Sequence, residues 1–362
     1  MRGMLAVAAL VSLGIPVAGR ADAPDEARGS TKVSGTVFAD LTYRQNVDKA
    51  TGLAADKSNG TSFDLKRFYL TVDQTWNATW GARFRSDVGN ETNGKYDLFV
   101  KNAYLEARLA PELSLRAGAA DLPWIPFAEG LYGYRYVENV LIDRTKFGAS
   151  ADWGLHAVGA LGGGVAAYAV SVVNGRGYGD PTRSQAPTGE ARVSFAPVGG
   201  LTVAVGGLVG SLGQRTVGTR TPNTAKRAQA LAAWVGGGLR LGLEAFWASD
   251  YSSKIITGAA PHDKAIGVAG WASYGFPSTP WALFARADYV QPNRDTRSSL
   301  KDVYANGGVQ LRPIDAVSLA LAYKFEQTRD GTLPTSNGTV GTAKAGSSGR
   351  YDEVGLWGLY TF

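Results

Sequence analysis

The run Trp281-Ala282-Leu283-Phe284-Ala285-Arg286-Ala287-Asp288-Tyr289 decides the fold. Trp281, Leu283, Ala285, Ala287 and Tyr289 fall on one side of an extended chain, with Arg286 and Asp288 on the other. A repeat of two residues is the signature of a strand with two unlike faces. The apolar face begins and ends in an aromatic ring. In a soluble sandwich that face would pack on a second sheet. In a membrane barrel it meets hydrocarbon, its aromatics sit at the two interfaces, and the charged face lines water.

The same pattern recurs in both directions. Val317, Leu319, Leu321, Tyr323 and Phe325 alternate with Ser318, Lys324 and Glu326. Leu239, Leu241, Leu243, Ala245 and Trp247 alternate with Arg240, Glu244 and Phe246. Nearer the start, Val37, Ala39, Leu41 and Tyr43 alternate with Thr36, Asp40, Thr42 and Arg44, and Trp80, Ala82 and Phe84 with Arg83, Arg85 and Asp87. The segments run ~10–13 residues, enough to cross a membrane at a tilt and longer than the ~5–6 of soluble strands. Sixteen strands are expected, at about 32–44, 62–74, 79–87, 97–109, 112–119, 143–157, 164–174, 188–196, 200–211, 225–236, 238–250, 264–275, 280–290, 300–312, 315–327 and 350–362, each end good to ~2–4 residues. Fourteen and eighteen are the alternative counts.

Connection lengths alternate. Short turns follow the even strands, as at Ala110-Pro111-Glu112, Gly162-Gly163-Gly164, Gly237-Gly238 and Pro313-Ile314-Asp315. Long loops follow the odd strands, the longest from Ala120 to Ile142. Transmembrane barrels have short turns on one side, long external loops on the other, and an even strand number. The fold class is therefore all-β, a transmembrane antiparallel barrel, with residues 32–362 as one domain.

The C-terminus repeats the pattern. Val354, Leu356, Gly358, Tyr360 and the terminal Phe362 occupy alternate positions. Such an ending resembles the insertion signal read by the barrel-assembly machinery, with Leu356, Tyr360 and Phe362 as its apolar positions. At the other end, Arg2 precedes an apolar stretch from Met4 to Val17 that closes in the small residues around Ala21 and Ala23. This is the layout of an export signal. Residues 1–21 are read as that signal, with 23 as an alternative cut, and 24–31 as a short periplasmic leader. Removing residues 1–21 takes away Arg2 and Arg20 and no acid, lowering the net charge from +6 to +4.

Composition narrows the function. Among 362 residues there is no Cys, which excludes a disulfide scaffold, thiol catalysis and a Cys-based zinc site. His156 and His262 leave little for His-dependent metal or triad chemistry. A mean hydropathy of −0.11 does not fit a bundle of apolar helices. The pI near 9.3 would permit nucleic-acid binding, but the basic residues are spread along the chain rather than clustered, so no nucleic-acid partner is expected. No cofactor, metal or catalytic residue is assigned. A barrel enzyme would need a base beside a nucleophile. His156 is in phase with Asp152, yet no Ser-centred motif accompanies it. An adhesive barrel would carry longer external loops.

Ordered motifs in the first third add a resemblance. They are Gly35-Thr36-Val37-Phe38-Ala39-Asp40, Phe63-Asp64-Leu65-Lys66-Arg67-Phe68-Tyr69-Leu70, Ala103-Tyr104-Leu105-Glu106, and Leu115-Arg116-Ala117-Gly118 leading to Pro123-Trp124. With them the chain resembles a Gram-negative porin, and within that group it is similar to the phosphate-selective porin family. The resemblance implies a sixteen-stranded homotrimer in the cell outer membrane, embedded in outer-membrane lipid, whose third external loop folds into the pore. That family lines its pore with Arg and Lys to favour anions. Here acids are interleaved, so fold and channel activity carry over and phosphate selectivity does not.

A channel works by size and field. The pore is expected to be lined by Arg67, Arg83, Arg85, Arg108 and Arg116 on the second to fifth strands. Facing them, the loop 120–142 would offer Asp121, Glu129 and Glu138, with Arg135. Acids on a loop opposite an Arg wall would set up a transverse field. Arg144, Lys146, Arg192, Arg227, Arg240 and Arg286 are expected on the lumen face of later strands. Basic residues outnumber acids there, which gives a mild preference for anions. The expected function is passive diffusion of small hydrophilic solutes and anions, with a phosphate- or sulfate-type anion channel as the alternative.

Overall fold

A computed structural model describes residues 29–48, 52, 59–90, 96–184, 186–213, 224–250, 263–341 and 346–362. The export signal expected at 1–21, residues 24–28 of the expected leader, and His262 lie outside the described residues.

Sixteen strands close into one antiparallel barrel. They are β1 (Ser30–Asp48), β2 (Gly60–Thr75), β3 (Trp80–Asn90), β4 (Tyr96–Ala110), β5 (Leu113–Asp121), β6 (Ala151–Leu161), β7 (Ala166–Val173), β8 (Thr188–Phe195), β9 (Leu201–Gly210), β10 (Ala225–Gly236), β11 (Leu239–Asp250), β12 (Asp263–Gly275), β13 (Trp281–Gln291), β14 (Lys301–Ile314), β15 (Val317–Arg329) and β18 (Ser348–Thr361). A separate hairpin, β16 (Thr332–Thr335) with β17 (Gly338–Gly341), lies in the last long loop. Strand β1 pairs with β2 on one side and β18 on the other, so the ring has no open edge. Closure gives every strand of the ring a hydrogen-bonded partner on both sides, the condition for strands to stand in lipid. Ser30 and Thr31 already pair with Thr75 and Gln74, so the barrel takes in the last two residues of the expected leader.

The faces are inverted relative to a soluble protein. On β13, Trp281 and Leu283 are 47% and 48% exposed, whereas Arg286 and Asp288 are 4% and 3% exposed. Leu155, Val205, Phe63 and Leu321 likewise point outward and are exposed. The charged face is the inner one. Short turns follow the expected pattern: β10 and β11 are joined by Gly237 and Gly238 alone, with φ of +61° and +75°. A two-residue hairpin turn with both residues in the left-handed region is where glycine carries no Cβ penalty.

Two departures from strict alternation matter. The ladder slips where Phe38 faces Arg67 and Ala39 faces Leu65, leaving Lys66 as an extra residue in β2. It slips again where Arg85 faces Asn102 and Ser86 faces Val100, leaving Lys101 extra in β4. A bulge lets two successive side chains take the same face.

The strand expected at 143–157 is corrected. Its first eight residues are not strand: Leu141–Arg144 forms a one-turn helix, α2, and β6 begins only at Ala151. Lys146 has a φ of 62°, which breaks an extended path. The long connection after β5 therefore runs over residues 122–150, and Asp121 is the last residue of β5 rather than part of that loop.

Candidate functional site

The loop at 122–150 is built from two short helices and a run of tyrosines. The helix α1 (Ile125–Tyr132) starts at a Pro in its first turn and ends at Gly133, whose φ of 82° suits the left-handed cap. It buries Ile125, Ala128 and Tyr132 against the inner face of the wall. The Tyr132 ring meets Trp271 edge-on at 5.7 Å, and Tyr134 stacks on Phe284 at 4.3 Å.

Polar groups of the far wall hold this loop. Glu244 on β11 accepts from the Trp124 indole N–H at 2.8 Å and from the Leu141 backbone N–H at 3.3 Å, so one carboxylate ties both ends. Glu190 accepts from the Trp124 backbone N–H at 3.1 Å. Arg192 donates to the Pro123 carbonyl at 2.8 Å, and Arg240 to the Gly130 and Leu131 carbonyls at 3.0 and 2.7 Å. Arg227 donates to the Phe147 carbonyl. Arg286 donates to the Asn139 carbonyl at 2.5 Å and to Asp288. Arg144 of α2 is fully buried and reaches Asp288, Asp302 and Glu326 on three successive strands at 2.8, 2.9 and 3.0 Å. Thus Arg192, Arg227, Arg240 and Arg286, expected as lumen charges, contact loop carbonyls. Arg144 belongs to the loop itself.

The last long loop joins in. Ser336 donates its backbone N–H to the Arg144 carbonyl at 2.9 Å and its hydroxyl to Glu138 at 2.6 Å. Asn337 donates to Glu326 at 2.7 Å. Glu138 also lies 3.5 Å from Lys324. Burial pushes the Glu138 carboxyl up, but Lys324, Ser336, Arg144 and Arg286 outweigh it and bring its pKa down to about 2.

The wall of β2 to β5 carries a different pattern. Arg67 pairs with Asp87 at 2.8 Å, Arg83 with Asp73 at 2.6 Å, and both Arg108 and Arg116 with Glu106 at 2.8 Å. Arg85 donates to the Thr71 hydroxyl at 2.8 Å. Asp121 accepts from Asn102 at 3.0 Å. The expected opposition of loop acids and wall arginines is not what the side chains form. Glu129 pairs with Arg135 of its own loop, and Glu138 turns to β15. Arg67, Arg83, Arg108 and Arg116 find carboxylates on their own sheet, where cross-strand neighbours lie within reach.

Between this wall and the loop lies a cavity of about 600 Å³. Lys66, Arg67, Lys101, Arg135 and Lys146 line it with Tyr69, Tyr136 and Tyr178, and its Lys and Arg outnumber its Asp and Glu seven to four. Lys66 is 3.2 Å from Asp40. Lys101 is buried and lies 3.4 Å from the Tyr69 hydroxyl and 4.6 Å from its ring, with the Tyr178 ring at 5.8 Å. Among the described residues its ammonium has no carboxylate within ion-pair distance. Burial lowers the Lys146 pKa, partly offset by Asp143 and Glu138. The two bulges let Lys66 and Arg67, and likewise Lys101 and Asn102, face inward side by side. The adjacent pairs Lys66-Arg67 and Lys101-Asn102, polar beside polar in mid-strand, are the signal for them in the sequence.

His156 is buried on the inner wall, its Nδ1 2.8 Å from the Ser171 hydroxyl and its Nε2 3.3 Å from the Gly118 carbonyl. Among the described residues no cluster of His, Cys, Asp and Glu is placed to hold a metal ion. Leu356, Tyr360 and Phe362 are exposed on the outer face of β18, with the last two rings stacked at 5.5 Å.

The architecture is that of the sixteen-stranded porin barrels. The chain is similar to the anion-selective porin from Comamonas acidovorans, with a TM-score of 0.65 and 12% identity over 92% of this chain and 100% of that one. It is similar to OmpT, an outer membrane protein of Vibrio cholerae, with a TM-score of 0.60 and 14% identity over 94% and 100% of the two chains. The outer membrane channel DcaP of Acinetobacter baumannii gives a TM-score of 0.60 and 14% identity over 92% and 97%. No family model and no curated protein matches the sequence.

Proposed function

We propose that the chain is an outer-membrane channel of a Gram-negative bacterium, through which small hydrophilic solutes diffuse with a preference for anions. The observation that carries this is the cation-rich cavity inside a closed barrel whose outer face is apolar. An apolar exterior places the barrel in lipid, and a charged interior keeps its lumen wet. In that reading the loop at 122–150 narrows the lumen from the β8 to β15 side, and solutes pass along the β1 to β6 side. Arg67, Arg83, Arg85, Arg108, Arg116 and Asp121 line the path on the wall, and Glu129, Arg135 and Glu138 belong to the loop. Lys101 supplies positive charge with no carboxylate within ion-pair distance among the described residues.

Export by a signal at 1–21 and delivery to the membrane by the barrel-assembly machinery through Leu356, Tyr360 and Phe362 belong to the same proposal. So does assembly as a homotrimer; one similar structure, of OmpT, is described as a trimer form. The chain is read as non-enzymatic. A phosphate-type selective channel is the second reading, supported by the same cavity and by the first-third motifs.

Purified protein in a planar bilayer tests this. Stepwise conductance is expected, with a reversal potential in a KCl gradient of the sign set by chloride. Absence of conductance would sink the channel reading, and a cation-selective potential the assignment of the cavity. Block of the chloride current by submillimolar phosphate would favour the second reading over general diffusion.

A further inference from the structure

The outward face of the barrel carries an arrangement that a channel does not use. Lys301 on β14 and Arg329 on β15 are direct cross-strand partners. Both are exposed and outward, next to the inward and buried Asp302 and Thr328. Like charges directly opposite one another weaken a ladder. The nearby acids are engaged elsewhere: Asp330 lies 3.5 Å from Arg297, and Asp352 2.6 Å from Arg350. Among the described residues neither Lys301 nor Arg329 has an acidic partner.

We propose that this pair binds the phosphate groups of anionic lipid heads in the leaflet at the long-loop end. The inference rests on the membrane placement proposed above. Order along β15 supports it. Leu321 is 61% exposed, then come Tyr323 and Phe325, then Arg329. The Arg350 guanidinium sits 5.2 Å from the Phe325 ring. Apolar, aromatic and basic residues in that sequence match hydrocarbon, interface and head group. Arg329 lies four residues beyond Phe325, ~13 Å along the strand and ~10 Å along the normal at a tilt near 40°. The head-group layer is about 5–8 Å deep, and long basic side chains bend back to reach it. At the short-turn ends of β13, β15 and β18 the outward residues are Trp281, Val317 and Tyr360, so on these strands no basic residue takes the corresponding level at that end. The face would then take a phosphate monoester or diester carried on a lipid, held by two cations.

The test uses the full-length barrel in detergent micelles with labelled phosphatidic acid, read by fluorescence polarisation. Wild-type protein should bind it and ignore labelled phosphatidylcholine. The double variant Lys301→Gln with Arg329→Gln should bind about thirtyfold more weakly, at the usual contribution of a basic residue near an anionic membrane surface. Arg312→Gln, an exposed cation at the short-turn end of β14, should bind as wild type does. Unchanged conductance in the double variant checks that it folds. Equal binding by wild type and double variant overturns the proposal, and so does competition by inorganic phosphate at the lipid's own concentration. A chain that takes up no detergent belt contradicts the membrane placement instead, which separates the two failures.

Discussion

Arg144 donates through Nη2 to Asp302 at 2.9 Å, with both side chains fully buried. The same guanidinium reaches Asp288 and Glu326 and lies over the Tyr304 ring at 4.5 Å. One planar cation thus stitches the loop to β13, β14 and β15. Lys could not replace it, because an ammonium lacks the fork that serves three acceptors at fixed angles. In Arg144→Met, three buried carboxylates lose their shared cation, a change of about 3–5 kcal/mol. The expected result is earlier thermal unfolding and a noisier, larger single-channel current, with Arg144→Lys in between. Currents that superimpose on wild type would show that the loop is held by other contacts.

Lys101 should set much of the anion preference. It is buried between tyrosine rings, and its charge is not cancelled by an adjacent carboxylate as that of Arg83 or Arg116 is. A unit charge 4 Å from a solute in a wet pore is worth about 1 kcal/mol, or about fivefold in local anion occupancy. Lys101→Met should therefore move the reversal potential toward zero, and Arg85→Ala should do so too. Arg312→Ala, beside Asp315 near a short turn, should leave it in place. A shift for Arg312 equal to that for Lys101 would remove the cavity from the selectivity step.

Glu138 makes the contact between the two long loops acid-sensitive. Its folded pKa of about 2 lies below the ordinary 4.5, so its ionised form is favoured by folding. The contribution is complete above pH 4.5 and is lost as pH falls through 2, a loss of about 3 kcal/mol. Gating noise should rise in that window and not on the alkaline side. Glu138→Gln cannot ionise, leaves Lys324 with Glu353 alone, and should be noisy already at pH 7. A flat pH response in wild type between 5 and 2 would count against this role.

The barrel was legible because lipid and water impose a period of two on each strand, as the run from Trp281 to Tyr289 illustrates. Turn positions were legible too, since Gly237-Gly238 has few conformational readings. The loop was legible only in outline. Residues 143–150 look like strand in sequence, and what turns Leu141–Arg144 into a helix is a set of carboxylates on strands far along the chain. Inward arginines were identified without their partners. Alternation marks Arg192 and Arg240 as inward but cannot say that a loop carbonyl waits there. Lys66 and Lys101 escape for the opposite reason, because a bulge breaks the local period by which their neighbours are placed.

Closure of the ring gives the last prediction. Gly35 and Phe362 exchange backbone hydrogen bonds at 2.9 and 3.1 Å, and the Phe362 ring occupies the space a Cβ on Gly35 would need, 2.1 Å from it. The ring also stacks on Tyr360. A pair of that kind contributes about 0.5–1.5 kcal/mol beyond its buried area. Phe362→Ala should lower the thermal stability of the folded band on a semi-native gel by that order and reduce the amount of assembled barrel in cells. The current of those barrels that do assemble should match wild type, because the ring faces away from the lumen. Gly35→Leu should produce the same defect by pushing the ring off its seat. The double variant should be little worse than either single change, since both remove one contact and effects through a shared contact do not add. Full additivity would remove the seam contact as the source of the defect and leave only the assembly role proposed above for Phe362.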